Sequence, residues 1–147
     1  PDESLERRYK SGLGLTGTTS LGKEKKGTVV ADVAWYRTRM KASKEDDDAT
    51  NGQYLVAYLY GKAAVNDKLN FGLRVGYLND ADLMAPFTQG DAKHYGDVTL
   101  TANYMVGPLR LAPEFRLDYA SEDVFINRNG DGTSLQYRLT MAAIFAF

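Results

Sequence analysis

The sequence predicts an all-β chain folded as an antiparallel up-and-down transmembrane β-barrel, with about seven strands visible in its 147 residues. Three observations predict it. Apolar and polar residues alternate with period two through seven successive stretches, the pattern of strands with two unlike faces. The connections alternate short and long along the chain, as in barrels with tight turns at one rim and long loops at the other. Over the last four stretches the apolar alternate set carries no charge, while the opposite set is rich in Lys, Arg, Asp and Glu.

Pro1 to Arg8 is charged and has no clear period, so it reads as an extramembrane segment. From Tyr9 to Leu21 the alternation begins, with Leu13, Leu15, Thr19 and Leu21 on one side and Gly12, Gly14, Thr16, Thr18 and Ser20 on the other. A basic turn, Gly22 to Gly27, leads to a second strand from about Thr28 to Met40. There Val29, Ala31, Val33 and Trp35 point outward and Asp32, Ala34 and Tyr36 inward, and Arg37 and Arg39 continue the outward register where a strand would leave hydrocarbon. Their guanidinium groups suit lipid phosphates or plain interfacial solvation equally.

Lys41 to Gly52 is a long acidic loop, and its run Glu45 to Asp48 reads as solvated. In the third strand, Gln53 to Val65, Leu55, Ala57, Leu59, Ala63 and Val65 form the preferred lipid face, which turns Tyr54, Tyr58, Tyr60 and Lys62 to the lumen. The opposite register would put Lys62 outside, near an interface where it could snorkel. After the tight turn at Asn66-Asp67, the fourth strand sets Leu69, Phe71, Leu73, Val75 and Tyr77 against Lys68, Asn70, Gly72, Arg74 and Gly76. A long loop from Asn79 to His94 follows.

Strand five alternates Val98, Leu100, Ala102, Tyr104 and Val106 with Asp97, Thr99, Thr101, Asn103 and Met105. Gly107-Pro108 turns the chain into strand six, where Leu109, Leu111, Pro113, Phe115, Leu117 and Tyr119 oppose Arg110, Ala112, Glu114, Arg116 and Asp118. Pro113 removes a ladder hydrogen bond, which predicts a bulge or an edge position. Beyond the loop Ala120 to Thr133, the final strand Ser134 to Phe147 has Leu135, Tyr137, Leu139, Met141, Ala143, Phe145 and Phe147 on one face and Arg138 on the other.

That final strand is similar to the C-terminal strand of bacterial outer-membrane barrels, whose terminal Phe belongs to the assembly signal. Phe147 takes that role here, which implies the barrel assembly machinery as a partner. The outward aromatics Trp35, Phe71, Tyr77, Tyr104, Phe115, Tyr119, Tyr137 and Phe145 are read as lipid-facing, girdle-type residues. Lys68, Arg74, Asp97, Arg110, Glu114, Arg116, Asp118 and Arg138 are read as pore-lining. A soluble lipocalin-type barrel has the same alternation turned inside out, but a small closed barrel has room for few side chains per layer. Seven strands is an odd count, whereas bacterial single-chain barrels have an even number. The chain is therefore expected to be the C-terminal portion of a larger barrel, or one domain over residues 1–147 with a strand hidden before Tyr9.

Composition narrows the functions. Charges nearly cancel, at −1 net, so nucleic acid is not an expected partner. With no cysteine there is no thiol nucleophile or thiolate metal site. No apolar run is long enough for a transmembrane helix. Asn127, Asn129, Asp131 and Gly132 echo the start of an EF-hand loop, but Arg138 stands where the bidentate Glu would be, so a polar turn is expected and no metal site. His94 is the only histidine, and no nucleophile or paired acid accompanies it in a pattern that suggests hydrolysis. Neither an enzyme nor a cofactor is expected.

The stretch LRLAPEFRLDYASEDVF, followed by a polar loop and a closing strand ending AAIFAF, resembles the C-terminal end of the OmpL-like β-barrel porins. The matching positions are Pro113, Glu114, Phe115, Arg116, Asp118, Tyr119 and Phe147. The resemblance implies a Gram-negative outer-membrane channel for passive diffusion of small hydrophilic solutes or ions. Lipids and lipopolysaccharide are the implied surroundings, and homo-oligomerisation is left open. The alternative is a small structural barrel, an anchor or adhesin, whose lumen is closed by salt bridges.

Overall fold

A computed structural model of the protein describes residues 7–22, 26–41, 50–83, 85 and 90–145. Phe147, the acidic run at 45–48 and most of the loop between 84 and 89 lie outside the described residues. The strands are β1 (Arg7–Leu21), β2 (Gly27–Lys41), β3 (Thr50–Ala64), β4 (Leu69–Asn79), β5 (His94–Val106), β6 (Leu109–Ala120), the short pair β7 (Phe125–Ile126) and β8 (Gly132–Thr133), and β9 (Leu135–Phe145). Seven of them form one antiparallel sheet in the order β1-β2-β3-β4-β5-β6-β9, and β7 and β8 form a separate hairpin inside the last long loop. The sheet ends at β1 on one side and β9 on the other, with no ladder joining these edges among the described residues. Because their number is odd, β1 and β9 run in the same direction.

Cross-strand pairing carries each face through the sheet without a slip. Leu15 pairs with Val33, Val33 with Ala57, Ala57 with Tyr77, Tyr77 with Gly96, Gly96 with Tyr119 and Tyr119 with Leu135. A parallel row runs Leu73, Leu100, Phe115, Leu139. Residues that pair directly share a face, and a one-residue slip would invert it. The third strand therefore has the preferred register: Lys62 pairs with Thr28 and Gly72, on the polar face.

Burial shows which way the sheet curls. In β4 the alternates Gly72, Gly76 and Leu78 are buried, while Phe71, Leu73, Val75 and Tyr77 are exposed. β6 repeats the pattern, with Phe115, Leu117 and Tyr119 exposed and Glu114, Arg116 and Asp118 partly covered. The polar face is thus the concave one, and the apolar face is convex. A lipocalin-type barrel requires the reverse.

Local chemistry sets the ends. Asn66 Oδ1 accepts the amides of Lys68 and Leu69 at 2.9 and 3.0 Å, an Asx turn that closes the β3–β4 connection. Gly107 adopts φ 58° in the β5–β6 turn, the left-handed backbone that a hairpin of primed type demands. Pro113 corrects the expected bulge or edge position. β6 lies inside the sheet, and its register with β5 is the same on both sides of the gap, Thr101 with Glu114 and Tyr104 with Leu111. The missing proline donor opens the ladder between these pairs and adds no residue.

Three boundaries also move. β1 is already paired at Arg7 with Lys41, β3 begins at Thr50, and β4 begins at Leu69, which leaves Lys68 in the turn. At the long-loop end, the segment after β4 folds back over the concave face. Asp80 is fully buried, its Oδ2 accepting the Ala85 amide at 2.8 Å and its carbonyl accepting the Leu83 amide at 3.0 Å. Leu83 is held there at φ 54°. Tyr54, Leu78 and Ala85 form a small buried cluster, with Tyr36, Val56 and Tyr95 packed against it.

Candidate functional site

The concave face is layered. Moving away from the long loops, one row reads Thr16, Asp32, Tyr58, Gly76, Asp97, Asp118, Gln136, and the next reads Thr18, Val30, Tyr60, Arg74, Thr99, Arg116, Arg138. Adjacent rows lie two residues apart along each strand, about 7 Å. A row holding three carboxylates therefore faces a row holding three guanidinium groups. A third row adds Lys62, Thr101 and Glu114.

The rows are stitched together. Arg74 Nε donates to Asp97 Oδ1 at 3.1 Å, and Nη2 donates to the same oxygen. Arg116 Nε and Nη2 donate to Asp118 Oδ1 at 2.8 and 2.6 Å. Thr101 Oγ1 donates to Glu114 Oε2 at 3.0 Å, and Thr16 Oγ1 to Asp32 Oδ1 at 3.2 Å. All these groups remain partly open to solvent on the concave side, so each pair is held by geometry and hydration and not by deep burial. Among the described residues Arg138 has no ionic partner.

Two of the clefts on this face meet at Tyr58. One, of about 230 Å³, lies between Tyr58, Asp97, Arg116 and Asp118 below and Val124 and Phe125 of the last long loop above. The other, of about 240 Å³, is lined by Lys10, Asp32, Tyr36, Tyr54 and Tyr58. Tyr36 and Tyr54 stack there with ring centroids 4.9 Å apart, and Lys10 Nζ sits 4.5 Å from the Tyr36 centroid. Both clefts lie toward the long-loop end.

This two-faced sheet can be set against known proteins. The model of the family described as "Putative beta-barrel porin-2, OmpL-like" matches residues 10–147. The chain belongs to that family. No curated protein and no solved structure compared with the chain matches it. Membership of this OmpL-like family makes the molecule a porin-like, membrane-embedded type of barrel, and the convex apolar face is the face such a barrel turns to lipid.

On this OmpL-like scaffold, Arg74, Asp97, Glu114, Arg116, Asp118 and Arg138 all lie on the concave face. Arg110, opposite Met105 and Ile144, is exposed beside the Gly107-Pro108 turn, and Lys68 is exposed in the Asn66 turn. The charged residues therefore divide between a mid-sheet band and the short-turn rim.

The eight outward aromatics named above all fall on the convex face, at different heights. Trp35, Tyr77 and Tyr119 lie toward the long loops, and Phe71, Tyr104 and Phe145 toward the short turns. Phe115 is mid-strand, in the row of Leu73, Leu100 and Leu139, and Tyr137 is one row nearer the loops. Phe147 is outside the described residues.

Asn127 Oδ1 accepts the amides of Asn129 and Asp131 at 2.8 and 3.0 Å, so the EF-hand-like segment is the turn of the β7–β8 hairpin. His94 Nδ1 lies 3.0 Å from the Tyr77 hydroxyl. Sequence reading missed the inward lean of the loops after β4 and β6 and the flat packing of the concave tyrosines. The run of glycines opposite tyrosines was the available signal for the second.

Proposed function

We propose that this chain forms seven strands of an outer-membrane porin whose water-filled lumen passes small hydrophilic solutes and ions by passive diffusion. The observation that carries this reading is the division of one sheet into a convex face without mid-strand charge and a concave face with rows of acids and bases. A bilayer demands the first, since a charged side chain at its centre costs about 2–4 kcal/mol. A conducting lumen benefits from the second, because fixed charges replace part of the hydration that a polar solute gives up on entry. No chemical step is proposed, and the mechanism is diffusion through a polar passage. Single-channel recording of the folded barrel in planar bilayers tests it, with stepwise, stable conductance as the expected result.

One observation favours a second reading. The Arg74–Asp97 and Arg116–Asp118 pairs, with Ala85, Val124 and Phe125 leaning over the same face, would suit a closed lumen in a structural barrel. Barrels that insert yet never conduct would select it.

A further inference from the structure

Three tyrosines of the concave face lie over glycines of the neighbouring strands. A Cβ added to Gly12 would come within 2.5 Å of Tyr36 Cδ1, one on Gly76 within 2.9 Å of Tyr58 Cε1, and one on Gly72 within 3.2 Å of the Tyr60 hydroxyl. The glycines let these rings lie down along the wall. Tyr36 is then partly covered, stacked on Tyr54 with Lys10 beside it. Tyr58 and Tyr60 are not covered: they stay 40% and 38% exposed although they point into the concave side. They are two residues apart on β3, about 7 Å, and form consecutive open platforms along one line.

What surrounds them decides which solute would use them. Tyr58 borders both clefts, with the Asp32 carboxylate in one and Asp97, Asp118 and Arg116 in the other, and the Arg74 guanidinium carbon lies 5.5 Å from its ring centroid. A carboxylate only accepts hydrogen bonds and a guanidinium only donates them. A simple ion would use one sign of this lining, and an apolar solute would use neither. A hydroxyl both donates and accepts, so a polyhydroxylated solute can use both at once. The C–H face of a sugar ring, slightly positive, also matches the negative π-face of an aromatic ring. Acids and arginines balance across the two rows, which gives a charged sugar no net advantage there.

We propose that Tyr58 and Tyr60, flanked by these ionic rows, form a binding track for neutral oligosaccharides on the lumen wall. The proposal rests on the porin reading and names its solute class. A ring lying over glycine can also serve only to shield the strand backbone, and the test separates these roles.

The folded barrel is placed in a planar bilayer, and fractional block of its own open current is measured with maltohexaose and with polyethylene glycol of equal hydrodynamic size. Saturable block by the sugar alone is expected. Tyr58→Ala with Tyr60→Ala should weaken it about tenfold or more, the fold-change of two lost aromatic contacts of this class, and Tyr58→Phe with Tyr60→Phe should preserve it. Folding is checked by heat-modifiable gel migration. If the double alanine chain does not fold, Tyr60→Ala alone carries the comparison. Equal block by both polymers, or sugar block unchanged in the alanine variants, overturns the track while leaving the pore intact. Complete absence of conductance overturns the porin reading and the track with it.

Discussion

Arg74 on β4 grips Asp97 on β5 diagonally: the two do not pair in the ladder, where Arg74 faces Thr99 and Asp97 faces Gly76. The diagonal depends on Gly76. A Cβ at that position would fall on the Asp97 carboxylate and press on the Tyr58 ring. One glycine thus permits both the link between the acidic and basic rows and the flat tyrosine beside it.

Gly76→Val should therefore destabilise the folded barrel by about 1–3 kcal/mol, the usual cost of overpacking. The β-propensity of valine acts in the opposite direction, so a stabilised variant would show that the close fit does not matter. Denaturant titration in detergent or lipid vesicles reads the difference.

The convex face makes a sharper demand. Leu73 lies mid-strand in the row with Leu100, Phe115 and Leu139. Leu73→Arg should cost about 2–4 kcal/mol of folding free energy in vesicles, as a charge near the bilayer midplane does. Thr101→Arg, one residue removed from Leu100 and on the concave face, should cost much less. Equal losses at both sites would remove the distinction between the faces.

Much of this was legible in the sequence, because alternation with period two is a local property. The strand count of the main sheet and the opposite faces of Leu73 and Arg74 follow from that pattern alone, whereas the concave position of Arg138 also needs the argument that a small barrel has little room for so many apolar side chains. Strand ends were less legible: β1 to β3 are each 15 residues long, and their polar outer portions look like loop until a neighbour pairs with them. Pro113 predicts a bulge or an edge, whereas the ladder simply skips it. The inward fold of the segment around Asp80 and Ala85 rests on packing against Tyr54 of β3, a contact between distant parts of the chain that no local pattern records. The hairpin at Phe125 has only two residues in each strand, too few to show an alternation.

That hairpin yields a prediction of its own. Val124 and Phe125 overhang the cleft above Asp97 and Asp118. Replacing residues 122–133 with a short Gly-containing turn should raise single-channel conductance and leave strand pairing intact. Unchanged conductance would place the hairpin away from the conducting path.

Ion preference follows from the fixed charges. On the concave side and its short-turn rim, Lys10, Lys26, Lys62, Lys68, Arg74, Arg110, Arg116 and Arg138 outnumber Asp32, Asp67, Asp97, Glu114 and Asp118 among the described residues. The described wall should thus favour small anions weakly at low salt and lose the preference as the screening length falls to about 10 Å at 0.1 M. Arg74→Glu with Arg138→Glu should move the reversal potential toward cations in bilayers under a salt gradient. Untouched selectivity at normal conductance would mean that these arginines do not line the path.

The central claim, that the convex face meets lipid and the concave face meets water, is tested most directly by nitroxide scanning along β6. Labels placed singly from Leu111 to Tyr119 in reconstituted barrels should show oxygen accessibility rising at Leu111, Pro113, Phe115, Leu117 and Tyr119. A water-soluble relaxation agent should instead report Ala112, Glu114, Arg116 and Asp118. Water accessibility at Phe115 with oxygen accessibility at Arg116 would contradict the account.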